Sequence, residues 1–156
     1  MLDVILPVRM PNKPPHSMTS NPLVLLVDDE DSTHFLHSRI ITRTAPGTKV
    51  VSVRNGVEAL AYLRDAAAGN AAVPTHIWLD LQMPRMDGWT FMEQYLQEDI
   101  EFETPPYITI VTSSPNPDEF ARALGFPGVG AYCEKFMTET ECLRLLNTSG
   151  GSLDAA

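Results

Sequence analysis

The chain's 156 residues suit one ordinary domain, and 44% hydrophobic content is enough to fill its core. Eleven Lys and Arg stand against twenty Asp and Glu, a net charge of -9, and the basic residues are scattered rather than gathered on one face, which argues against nucleic-acid binding. Cys133 and Cys142 have no metal-ligand spacing and form no disulfide framework, so both read as small core residues of a protein in a reducing cytoplasm.

Residues 1–20 open with a short apolar run that lacks a basic flank, is broken by Pro7 and is too short to span a bilayer. Neither a signal peptide nor a membrane anchor is expected. The Pro- and Ser-rich stretch from Pro11 to Pro22 reads as disordered lead-in, making 1–20 a flexible extension ahead of a domain at 21–148. Met18 is an alternative start, and Val4 to Val8 an alternative docking segment for a partner subunit.

From residue 22, short apolar runs alternate with segments of helical periodicity in five units, the pattern of an α/β, doubly wound parallel sheet. Leu23 to Val27 is a strand buried on both faces. The helix from Ser32 to Thr44 carries Thr33, Leu36 and Ile40 on one face and closes at Pro46-Gly47. His34 and His37, three apart on that helix with no third ligand, read as solvent-exposed. Lys49 to Val53 is the second strand, and Asn55 caps a helix with a stripe of Val57, Leu60, Ala61 and Leu63, ending near Gly69. His76 to Leu79 is the third strand. A helix carrying Trp89, Phe91, Met92, Tyr95 and Leu96 follows a Pro- and Gly-containing loop in which Asp87 is read as a cap. Tyr107 to Val111 is the fourth strand, and Asn116-Pro117 open a short helix reaching Gly125. Val129 to Cys133 is the fifth strand, Thr138 and Glu141 have capping-box spacing for a last helix, and 149–156 reads as a disordered tail.

In such sheets ligands bind beyond the carboxyl ends of the strands. There the first strand ends in Asp28-Asp29, the third in Asp80 and the fourth in Thr112-Ser113, while Lys135 follows the fifth. Three carboxylates held close repel one another unless a cation neutralises them. Mg²⁺ is the cofactor that fits best, since it takes oxygen ligands and bridges carboxylates to phosphate oxygens. Phosphoryl transfer needs a nucleophile and positive charge around the equatorial oxygens; Asp80 supplies the first, and Mg²⁺, Lys135, the Thr112 hydroxyl and loop N–H groups the second.

The string Asp80-Leu81-Gln82-Met83-Pro84-Arg85-Met86-Asp87-Gly88, with the paired acids, Thr112 and Lys135 in order, resembles the phosphoacceptor loop of the response-regulator receiver family of two-component signalling, in its free-standing form. The resemblance covers residues 22 to 147 and implies a flavodoxin-like strand order 2-1-3-4-5 with five helices. It implies that Asp80 is phosphorylated and that Asp29 ligates Mg²⁺. Asp28 would support a metal-bound water, and the Gln82 backbone carbonyl would complete the protein ligands. Thr112 would bond the phosphoryl oxygen, Lys135 would pair with the phosphoryl group, and Tyr132 would occupy an aromatic switch position. Gln82 and Ser114 stand where the family tunes acyl-phosphate lifetime, and neither is an acid, so slow to moderate dephosphorylation is expected.

Phe136 replaces the Pro that the family usually has after the Lys. A cis bond to a non-proline residue costs about 2.5 to 4 kcal/mol, so a trans Lys135–Phe136 bond is expected, with Phe136 available to an exposed apolar docking surface. The partner implied is a sensor histidine kinase or histidine phosphotransfer protein. With the chain stopping soon after the fifth helix, output is expected by docking, relay or competition for the kinase. The face made by the fourth helix, fifth strand and fifth helix would serve, including for a homodimer. Arg85 is either a kinase contact or simply exposed. Two other classes remain open. A Mg²⁺-dependent phosphohydrolase forming an aspartyl phosphate would want an acid where Gln82 stands. A flavodoxin-like carrier would want a Ser/Thr- and Gly-rich phosphate loop where the sequence has Asp28-Asp29-Glu30-Asp31.

Overall fold

The computed structural model describes residues 21–148. The readings made for 1–20 and 149–156 fall outside the described residues. The elements are β1 (Leu23–Val27), α1 (Asp31–Thr44), β2 (Lys49–Val53), α2 (Gly56–Ala67), β3 (His76–Leu79), α3 (Gly88–Gln97), β4 (Tyr107–Thr112), α4 (Pro117–Leu124), β5 (Val129–Glu134) and α5 (Glu139–Leu146). The five strands are parallel in the order β2-β1-β3-β4-β5, the flavodoxin-like arrangement expected.

Helices on both faces explain why the central strands are apolar without interruption. Successive side chains of β1 alternate between two cores. Leu25 and Val27 join Leu60 and Leu63 of α2, Phe91 and Met92 of α3, and Ala123 of α4. Val24 and Leu26 join Ile41 of α1 and Cys142, Leu145 and Leu146 of α5, with Trp78 of β3 between them. Both cysteines are free and buried. Helix starts follow the capping residues. Asn55 accepts from Glu58 N at 3.0 Å, Asp87 from Thr90 N at 2.9 Å and Asn116 from Asp118 N at 2.8 Å. Thr138 and Glu141 form a capping box. No described helix is long and apolar enough to cross a membrane.

Two expectations are corrected. The inner face of α1 is Thr33, His37 and Ile41, while Leu36 is 38% exposed. A period of 3.6 admits either i+3 or i+4 neighbours, and hydropathy steers the choice away from a histidine. His37 is therefore buried rather than solvent-exposed, and His34 is half-buried, its Nε2 lying 2.8 Å from the Asp28 carbonyl oxygen. The Lys135–Phe136 peptide is cis, not trans. Contacts on both sides decide the path of the chain there: Lys135 N donates to the Thr112 carbonyl at 2.8 Å, the Phe136 ring meets the His37 ring, and Met137 is buried. A dipeptide preference takes no account of such contacts.

The loop from β3 to α3 is held where it passes under Gly88. Gly88 N donates to the Leu81 carbonyl at 3.0 Å. A Cβ on Gly88 would stand 2.7 Å from the Asp80 carbonyl oxygen and 2.8 Å from the Leu81 Cα. Both obstacles are backbone, so relief requires moving the residue pair that carries Asp80. Gly88→Ala should destabilise the protein by about 1 to 3 kcal/mol, seen as a lower urea midpoint at unchanged slope; an unaltered midpoint would refute the close approach.

Candidate functional site

Asp28 and Asp80 directly follow adjacent parallel strands, and their amides continue the ladder: Asp28 N donates to the Val53 carbonyl at 3.1 Å and Asp80 N to the Val27 carbonyl at 3.0 Å. The ladder therefore sets the two side chains at one rim. Asp28 is 3% and Asp80 7% exposed. Asp29, half-buried, completes the group, and one carboxylate oxygen from each of the three lies within 4.8 Å of the others.

Lys135 enters this rim from the end of β5. Its Nζ is 2.8 Å from Asp28 Oδ2, 3.3 Å from Asp80 Oδ2 and 3.3 Å from Glu30 Oε1. The other Asp80 oxygen, Oδ1, accepts the Gln82 N–H at 3.1 Å. Glu30 N donates to Asp28 Oδ1 at 2.8 Å, and Arg54 donates to the Asp29 carbonyl at 2.9 Å while pairing with Asp31. These bonds fix the loop that presents the acids.

Burial pushes Asp80 up from 3.8 to about 6, with the Asp28 charge adding to the rise and the Gln82 N–H and Lys135 opposing it. Its carboxylate is thus mostly ionised at neutral pH, yet held at a cost. Burial pulls Lys135 down, but the Asp28 hydrogen bond and the charges of Asp80, Asp28 and Glu30 outweigh it, so its pKa lies above the ordinary value. The ammonium stays charged. Three carboxylates against that one ammonium leave two negative charges at the rim before Glu30 is added. An all-oxygen set with surplus negative charge fits a hard divalent cation. No histidine or cysteine belongs to this group, so a softer transition metal is poorly matched.

The site thus gathers Asp28, Asp29, Asp80 and Lys135. Thr112 is buried at the end of β4, its Oγ1 accepting from Ser114 N at 3.1 Å. The Gln82 backbone reaches Asp80 through its N–H, and its side chain is exposed. Tyr132 faces away toward α4. Its hydroxyl accepts from Asn116 N at 3.0 Å and its ring lies 4.9 Å from that of Phe120. Glu30 was not singled out by sequence reasoning. The acidic run at 28–31 was the available signal, but pairing with a lysine 105 positions away is a property of the fold. A cleft of about 580 Å³ lined by Tyr95, Pro105, Tyr107, Phe126 and Gly130 opens at the amino ends of β4 and β5 and holds none of these groups.

Residues 24–147 match the family model described as the response regulator receiver domain. The chain belongs to that family. It is a signalling module of two-component systems, as the sequence motif implied. It is 29% identical over 101 residues to a probable methanogenesis regulatory protein, FilR2, of Methanothrix harundinacea (strain 6Ac). That match covers 65% of this chain and 64% of the relative, just under two thirds of the relative's length. A two component response regulator from Cytophaga hutchinsonii shares 28% identity at a TM-score of 0.73, over 81% of this chain and 94% of that one. The phosphorylated cyanobacterial phytochrome response regulator RcpA, at 24% identity and a TM-score of 0.67 over 85% of this chain and 100% of its own, shares the fold.

Because the Asp80 pKa is raised in the fold, the folded state holds a proton that the unfolded state has released between pH 3.8 and about 6. Stability from this group therefore falls as pH rises through that window and stays lost above it. Asp80→Asn removes the cost. In the presence of a chelator the variant should be more stable than wild type by roughly 1 to 3 kcal/mol at pH near 7, with the gap closing toward pH near 4. Urea unfolding at the two pH values measures it, and a gap independent of pH would contradict the assignment.

Proposed function

We propose that this receiver accepts a phosphoryl group on Asp80 from a sensor histidine kinase or a histidine phosphotransfer protein, and signals by phosphorylation-dependent protein contacts in the cytoplasm. The observation that carries the reading is the buried Asp80 carboxylate beside Asp28, with the Lys135 ammonium in contact with both at the rim of a parallel sheet. One Asp80 oxygen attacks phosphorus, the phosphorus–nitrogen bond of the donor phosphohistidine breaks, and the imidazole takes back the electron pair and a proton. Lys135 then faces a phosphoryl group in place of part of its carboxylate contact, and the Thr112 hydroxyl is the further donor at the rim.

Asp28, Asp29, Asp80 and the Gln82 carbonyl would hold Mg²⁺. Bound there, the ion supplies positive charge to the phosphoryl oxygens. Gln82 and Ser114 offer no carboxylate to direct a hydrolytic water, which supports a product of slow to moderate lifetime.

Output is assigned to the face of α4, β5 and α5. Phe120 and Leu124 of α4 and Leu143 of α5 are exposed, as is Phe136 in the turn between β5 and α5, and Tyr132 of β5, the proposed switch residue, is half-buried against Phe120. This is also the face proposed for a homodimer. The join between chemistry and surface is short in sequence, since Phe136 directly follows Lys135 and Tyr132 precedes it by three.

Incubation with Mg²⁺ and acetyl phosphate tests the reading by mass spectrometry. Wild type should gain one phosphoryl group on Asp80, chelation should abolish the gain, and Asp80→Asn should not be labelled. Lys135→Ala should slow labelling by on the order of a hundredfold, and Asp29→Asn should weaken the Mg²⁺ dependence by about tenfold or more. Equal labelling of wild type and Asp80→Asn would overturn the proposal.

A further inference from the structure

His37, on the inner face of α1, is 2% exposed. A buried imidazole must find partners. Its Nε2 accepts the Met137 N–H at 3.4 Å, a long bond whose direction nevertheless places the ring proton on Nδ1. Burial, reinforced by the charges of Lys135 and His34, lowers His37 from 6.5 to about 4, so the ring stays neutral at physiological pH and keeps this acceptor. The same ring stands edge-on to Trp78 at 5.6 Å and to Phe136 at 5.9 Å.

These partners tie two parts of the site together. Trp78 lies in β3 two residues before Asp80, and Phe136 and Met137 are the two residues after Lys135. The turn from β5 to α5 is held at its start by Lys135 N on the Thr112 carbonyl, 2.8 Å, and at its end by Thr138 N on Glu141, 2.9 Å. Between those ends the Met137 N–H is held from α1, by His37. The Lys135 stem is long and flexible, but its ammonium is buried with side-chain exposure of 5% and must meet Asp28 and Asp80 together. Displacement of the turn is therefore felt at Nζ.

We propose that His37 is a positioning residue: its neutral imidazole fixes the turn at 135–137 and thereby holds the Lys135 ammonium in place for phosphoryl transfer to Asp80. This rests on the reading of Asp80 and Lys135 given above. Leucine or phenylalanine can fill the volume of the imidazole but leaves the buried Met137 N–H without its acceptor. Glutamine can restore an acceptor without the ring.

The test is a double-mutant cycle in the full chain, read as the initial rate of labelling by acetyl phosphate with Mg²⁺, with thermal unfolding confirming that each variant is folded. His37→Phe should slow labelling by about tenfold when Lys135 is present, and by less than about twofold in a Lys135→Ala background. His37→Gln should stay within about threefold of wild type. Equal losses in the two backgrounds, or no loss beside Lys135, would overturn the proposal. Should His37→Phe fail to fold, nitrogen-15 spectra of the wild-type imidazole decide the matter. A neutral Nδ1–H ring persisting below pH 6 supports it, and a ring titrating near its ordinary 6.5 refutes it. Labelling of Asp80→Asn would bring down the underlying reading and this proposal together; an unlabelled Asp80→Asn, a slow Lys135→Ala and an unaffected His37→Phe would bring down this proposal only.

Discussion

Taking a carboxylate out of water costs several kcal/mol unless a cation compensates it, and here two carboxylates, Asp28 and Asp80, are buried side by side. Their compensation is one ammonium, delivered from 55 positions beyond Asp80. That delivery depends on every parallel pairing between β1 and β5. A slip of one residue in β3 or β4 would turn its side chains to the opposite face and move Asp80 or the Thr112–Lys135 anchor out of reach. The apolar runs that fill both cores are thus also what aligns the charges.

The compensation is incomplete, which gives the site its chemistry. Lys135 divides its contacts among Asp28, Asp80 and Glu30, and negative charge remains. A rim in this condition favours added positive charge, and a group carrying its own anionic oxygens can be received only together with such charge. Glu30 plays a part in this balance. It is the N-cap of α1 yet makes no side-chain cap bond. Instead its carboxylate receives Thr33 Oγ1 at 3.3 Å and Lys135, so the helix start and the ammonium share one counter-ion.

Strand positions were legible because a strand buried on both faces leaves an apolar run that an acid or hydroxyl ends abruptly. Leu23–Val27 and His76–Leu79 were found in this way with their observed limits, Lys49–Val53 by its weak alternation, and β4 and β5 each run one residue further than the sequence suggested. Caps were legible for a similar reason, since Asn55, Asp87, Asn116 and Thr138 act on amides two or three positions away. The inner face of α1 was not. Its register depends on His37, which reads as polar until Trp78 and Met137 are placed around it. The geometry at Phe136 was hidden likewise, because its ring meets His37 of α1 and the Lys135 amide before it is held from β4. What the sequence left unread was the long-range polar contacts, of Glu30 with Lys135 and of His37 with Met137, and the cis form of the Lys135–Phe136 peptide.

The same rim bears on whether a phosphoryl group would be kept or turned over. An aspartyl-phosphate hydrolase needs an acid poised to protonate a leaving group and a base poised to direct water. Gln82 occupies the position two beyond Asp80, its side chain is exposed, and its amide N–H is engaged by Asp80 Oδ1. Asp28 is bound on one oxygen by Glu30 N and on the other by Lys135. The Asp28 carboxylate and the Gln82 amide are therefore committed to holding the site in shape. If Asp80 is phosphorylated as proposed, a site so arranged would store the phosphoryl group rather than turn it over rapidly. Its consequence would then be carried by the chain that leads from Lys135 into Phe136 and the exposed apolar face beside it.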